Sequence, residues 1–78
     1  MPFIRIDKYE IRFYASDLSE RAHVHVRYAG KQAKFWIDRI ELVKSRGYAN
    51  HELNEIERML HENQPRLLAK WQEENEKR

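Results

Sequence analysis

One stretch constrains this chain more than any other: residues 22–37, AHVHVRYAGKQAKFWI. Apolar and polar residues alternate on both sides of Ala29-Gly30, as in two strands joined by a two-residue turn. Pairing Tyr28 with Lys31 sets Val26 opposite Ala33, Val24 opposite Phe35 and Ala22 opposite Ile37 on one face. The other face receives Arg27 opposite Gln32, His25 opposite Lys34 and His23 opposite Trp36. Trp36 is the single strongly apolar residue on the polar side. Side chains in a strand repeat every two residues, so a one-residue slip would turn the whole apolar set to water.

A second hairpin precedes it. In FIRIDKYEIRFY (3–14), a turn at Asp7-Lys8 pairs Ile6 with Tyr9, Arg5 with Glu10, Ile4 with Ile11 and Phe3 with Arg12. Arg5 and Glu10 become opposite-charge neighbours, which supports that register. Lys8 is a poor residue for the positive φ of such a turn, so a longer loop is the alternative. Residues 15–21, ASDLSER, are the loop-like stretch between the hairpins.

A sheet with one apolar face needs a cover, and the rest of the chain supplies it. Asp38 with Glu41 three residues on imitates a capping box, Arg46 sits in the last turn and Gly47 suits a C′ position. This predicts a short helix from Asp38; a short strand through Ile40 and Leu42 is the alternative. Asn50 can cap a helix carrying Leu53, Ile56, Met59 and Leu60 at three- and four-residue spacing. Pro65 then starts a second helix or kinks a long one. Leu67, Leu68 and Trp71 give this segment its apolar stripe, and 73–78 are expected to fray. The fold class is α+β: two hairpins in an antiparallel sheet (1–37), then a short helix and two further helices on one face (38–72), all within one domain over 1–78.

Composition removes several function classes. The chain has 78 residues and no Cys, so disulfide scaffolds, cysteine zinc fingers and thiol catalysis are excluded. No apolar run approaches the ~18 residues of a membrane span, the N-terminus lacks a signal-peptide core, and a cytoplasmic location is expected. Two glycines cannot build a phosphate loop, and the serines have no nucleophile context. Residues 1–48 hold ten Lys and Arg against six Asp and Glu, while residues 49–78 hold five against seven. The sheet half is therefore the basic half, which suits an anionic partner, although a mixed, solvated surface is the plainer reading.

The polar sheet face is the candidate site. It gathers Arg5, Arg12, Tyr14, His23, His25, Arg27, Lys34 and Trp36. Cations interleaved with aromatic rings suit single-stranded nucleic acid, where charge meets phosphate and rings stack on bases. His23, His25 and Arg27 are also candidates for metal-independent ribonuclease chemistry, with imidazoles as acid and base. Trp, Tyr and Arg are equally the anchors of protein interfaces, and an ordinary solvated face is the plain reading. His23 and His25 could begin a metal site, but Arg27 and Lys34 beside them repel a cation, so neither metal nor cofactor is expected. LVKSRGYANHELNEI has helix-turn-helix spacing, yet Glu52, Glu55 and Glu57 on its second helix oppose phosphate.

HVHVRYAGKQAKFWID, followed by ELVKSRGY and HELNEIERML, resembles a family of very small bacterial proteins, the one numbered 4160 among domains of unknown function. The likeness runs over essentially the whole chain. Here Arg21-Ala22, Lys8 and Arg39 stand where the family usually has Pro, Gly and Pro, departures that touch turns. Family genes often stand beside a second small gene, in pairs suspected to be toxin–antitoxin modules. The resemblance therefore implies a protein-interaction component of a two-gene module, partnered by the neighbouring product or, through sheet edges, by a second copy. RNA binding or cleavage through His23, His25 and Arg27 is the alternative. The family brings no catalytic residues to carry over.

Overall fold

The structure, a computed structural model, describes residues 3–13 and 21–76 apart from the Asn75 side chain. Five strands form one antiparallel sheet in chain order: β1 (Phe3–Ile6), β2 (Tyr9–Arg12), β3 (His23–Tyr28), β4 (Lys31–Trp36) and β5 (Glu41–Arg46). Helices α1 (Asn50–Glu62) and α2 (Gln64–Glu76) follow.

Both hairpin registers form pair for pair as the alternation predicts. The first loop keeps the two residues of that register, and the longer loop offered as its alternative does not form. Its left-handed residue is Asp7, with φ 54°, and Asp enters that region more easily than Lys. In the second turn Ala29 and Gly30 both have positive φ, 51° and 79°. That is the pattern of a type I′ turn, whose twist matches the strands it joins.

The short helix expected from Asp38 does not form; the strand alternative does. β5 pairs with β4, setting Trp36 opposite Glu41, Phe35 opposite Leu42, Lys34 opposite Lys44 and Gln32 opposite Arg46. Val43 is left over, and the register shift there is a β-bulge. An isolated helix of about nine residues is marginal in water, whereas a strand satisfies the outer backbone groups of β4. Asp38 caps no helix. It takes two hydrogen bonds from the Arg21 guanidinium, at 3.0 and 3.1 Å, and one from the Arg39 N–H. Gly47 keeps a positive φ of 93°, but it ends a strand rather than a helix, and a Cβ there would meet Lys31 Cγ at 3.0 Å. Because Leu42 and Val43 lie in a strand, the helix-turn-helix spacing is not realised.

The N-cap of α1 is Ala49, one residue before the Asn50 expected, and the Glu52 carboxylate accepts the Ala49 N–H at 2.9 Å. Pro65 starts a separate helix. Asn63 closes α1, donating its side-chain amide to the Met59 carbonyl, and its own carbonyl accepts the Leu67 N–H that opens α2. α2 stays helical to Glu76, through four of the six residues expected to fray.

The core lies between one sheet face and the helices. Tyr9, Ile11, Val24, Val26, Phe35 and Ile37 are buried against Ile56, Met59, Leu60 and Leu67. Leu53 is half-buried at its edge. Polar ties fix α1 over the sheet: the Tyr9 hydroxyl donates to Glu55 at 2.6 Å and the Lys31 ammonium to Glu52 at 2.8 Å. Among the described residues, no helix is long and apolar enough to cross a membrane.

Candidate functional site

Strand parity sorts alternate sheet residues onto the face away from the core. β1 places Phe3 and Arg5 there, β2 Glu10 and Arg12, and β3 His23, His25 and Arg27. β4 adds Gln32, Lys34 and Trp36, and β5 adds Glu41, Lys44 and Arg46. Among the described residues, six cationic side chains (Arg5, Arg12, Arg27, Lys34, Lys44 and Arg46) thus share one face with two carboxylates. His23 apart, none of these residues is buried.

The two carboxylates are already engaged. Arg12 Nε donates to Glu10 at 2.8 Å, and that bond holds the Glu10 carboxyl below the usual carboxylate range. Glu41 lies 3.6 Å from Arg21. Asp38, at the end of β4, is also held below its usual range, chiefly by the Arg21 hydrogen bonds.

His23 corrects the expectation. It shares its face with His25, the rings 5.7 Å apart, but it is only 3% exposed. The Trp71 ring of α2 sits 4.9 Å away and the edge-on Trp36 ring 6.0 Å away. Nδ1 of His23 donates to the Arg21 carbonyl at 2.9 Å. Trp71, a member of the core cluster, therefore also reaches the first residue of β3. Gln64 ties α2 to the same end of the sheet by donating to the Ile37 carbonyl. His23 is a packed residue rather than part of an exposed patch.

Trp36 is half-buried and has local partners. Arg21 lies 4.7 Å and Lys34 5.0 Å from its ring centre, both within cation–π range. The polar side of the hairpin thus keeps a Trp because cations and the His23 ring clothe it. Tyr14 falls outside the described residues. Among the described residues, Phe3, 48% exposed and opposite Arg12, is the most exposed ring of this face, and hairpin parity already places it there.

Two hollows interrupt the face. One, of about 270 Å³, is lined by His25, Gln32, Lys34, Lys44 and Arg46 with the neighbouring Ala33 and Ser45. The other, of about 240 Å³, lies over Arg5, Lys8, Glu10, Arg12 and Arg27 beside the Tyr28–Gly30 turn. The expected residues His25, Arg27, Lys34 and Arg12 thus divide between two hollows. Lys44 and Arg46 were missing from the expected set because the helical reading of 38–46 removed them from the sheet. The alternative strand through Leu42 would have placed them opposite β4. Among the described residues, no cluster of three or more His, Cys, Asp or Glu side chains is arranged to hold a metal ion.

A family model described as a domain of unknown function, DUF4160, matches residues 9–72. No curated protein and no solved structure matches the chain.

Proposed function

We propose, on the premise that this chain belongs to the DUF4160 family of domains of unknown function, that it binds single-stranded nucleic acid across the helix-free face of its sheet. One observation supports the reading: among the described residues, six Lys and Arg side chains stand on that face against two engaged carboxylates, with two hollows between them. Phosphate neutralisation by such a row supplies sequence-independent affinity. The exposed Phe3 ring adds a surface on which a splayed base can stack. A twisted sheet presents these groups to a flexible strand more readily than to a stiff duplex. The role is binding without cleavage: with His23 buried, His25 is the one imidazole left accessible on the face, and acid–base cleavage wants a second group.

Fluorescence anisotropy of a labelled oligouridylate against salt tests this. Neutralising four to six phosphates gives a slope of log K on log salt of about −3 to −4. A slope shallower than about −1, or no binding at low salt, overturns the reading.

A second reading rests on β5, whose six residues are all exposed, with Leu42 and Val43 showing 44% and 40% of their surface. An open strand edge with apolar side chains accepts an added strand. Under this reading the chain is the interaction component of a two-gene, toxin–antitoxin-like module, and the added strand comes from the neighbouring product or a second copy. Co-expression with that product, then sedimentation, should give a complex that Leu42→Lys disrupts. A monomer at all concentrations, alone and with the neighbour, refutes it.

A further inference from the structure

We infer that the strand added at the open edge of β5 is β5 of a second copy, paired antiparallel about a two-fold axis between Val43 and Lys44; this rests on the second reading above and commits it to one partner. The first argument is position. β5 is the outer strand, and among the described residues nothing pairs with its far edge. Leu42 stands opposite the buried Phe35 yet is 44% exposed, so the apolar face runs one strand past its helical cover. A bulge and a lysine can blunt an edge against pairing. Here they leave two apolar side chains, Leu42 and Val43, exposed on it.

The second argument is the bulge itself. Two identical strands paired about a two-fold axis set each residue opposite one that shares its face. In an unbroken strand of six residues, end-to-end overlap breaks that rule, because residues 41 and 46 face opposite sides. The extra residue, Val43, shifts the alternation. Glu41 and Arg46 then share the face away from the core, while Leu42 and Ser45 share the other, opposite Phe35 and Ala33. Full overlap therefore sets Glu41 opposite Arg46 of the second copy and Leu42 opposite its Ser45. The third argument is charge. Opposite charges facing across strands stabilise the pairing, and symmetry makes this pair occur twice. Glu41 lies 3.6 Å from Arg21, but its side chain is 51% exposed, and a carboxylate has acceptor sites for a second guanidinium. The axis stands perpendicular to the sheet. The two five-stranded sheets thus become one, with a continuous helix-free face and the helices of both copies on the other side.

The test uses the full chain, which has no cysteine of its own. Sedimentation across a wide concentration range should show a monomer–dimer equilibrium. Arg46→Glu should weaken the dimer roughly tenfold, since like charges would then face each other at both pairs, and the double variant Glu41→Arg, Arg46→Glu should restore it. Both positions are exposed, and an unchanged circular dichroism spectrum shows that the fold is kept. Register is read by oxidation: Leu42→Cys mixed with Ser45→Cys should form an intermolecular disulfide several times faster than either variant alone, because only the mixed pair is directly opposite. A chain that stays monomeric alone but joins the neighbouring product through β5 would keep the strand-acceptor reading and overturn the second copy as its occupant. A dimer unchanged by Arg46→Glu, or one in which the mixture cross-links no faster than the single variants, would also overturn the inference. A monomer both alone and with the neighbour removes the inference and the reading together.

Discussion

Phe35 and Leu42 face each other across β4 and β5, yet they should differ sharply in what they contribute. Phe35 is 1% exposed and Leu42 is 44% exposed. Truncating a buried Phe to Ala costs about 3–5 kcal/mol, transfer and cavity terms together. At about 0.05–0.15 kcal/mol per residue, 78 residues correspond to a total stability of roughly 4–12 kcal/mol. Phe35→Ala should therefore remove a large part of the stability. Full burial of Leu stabilises by about 1.5–3 kcal/mol, and Leu42 keeps nearly half its surface in water, so Leu42→Ala should cost about 1 kcal/mol or less. At about 4–8 °C per kcal/mol, Tm should fall by at least about 12 °C for the first and by no more than about 8 °C for the second. Thermal unfolding followed by circular dichroism, with urea titration followed by Trp fluorescence, measures both. Equal losses would mean that the core extends under β5, and the placement of the helices over the inner strands would be refuted.

Three further outcomes follow from particular contacts. Ala29 holds φ 51° beside Gly30, a region costing an ordinary residue about 1–2 kcal/mol, so Ala29→Asn should raise Tm by a few degrees in the same melting assay. The Arg21 hydrogen bonds hold Asp38 below its usual pKa; that stabilisation is present above the unfolded value of about 3.9 and is lost as pH falls through the lower folded one. Urea midpoints across pH 2–6 should therefore decline less steeply below about pH 4 in Asp38→Asn than in the parent chain. Burial pushes the Tyr48 phenol up to about 12 and, aided by the bond to Glu55, raises Tyr9 as well. The fold favours the neutral phenols, so stability should be lost as pH rises above about 10, and absorbance at 295 nm should show both ionising with unfolding; ionisation at ordinary tyrosine values in the folded state would contradict their burial.

What could be read directly was set by nearest neighbours along the chain. Alternation and two-residue turns determine both hairpin registers, because each pairing spans few residues and one face must be apolar. Segment 38–46 supports both a helix and a strand for a physical reason. Asp38 and Glu41 suit a helix cap, and Leu42-Val43 fits either period, so the short stretch is ambiguous until β4 offers an unpaired edge. The bulge at Val43 has no sequence signal of its own, and it decides which face Lys44 and Arg46 take. The burial of His23 depends on Trp71, which stands on α2 far along the chain. Strand parity placed His23 beside His25 correctly but could not reveal that cover. Trp36 was conspicuous as a misplaced ring, and its partner Arg21 comes from the segment before β3, where no periodicity points.

The strictly sequential strand order also governs how the molecule is made. Every ladder joins consecutive strands, so the sheet can zip up from local closures, a topology that favours rapid folding. The contacts that close the apolar face come last, through α1 and α2 at residues 50–76. During synthesis, at about 5–20 residues per second, that face waits on the order of 1–5 s for its cover. A nascent chain in that interval exposes Val24, Val26, Phe35 and Ile37 together with an unpaired β5 edge. Slowed elongation through the helical segment would lengthen the interval, so yield of soluble protein should depend on translation speed there more than within the strands.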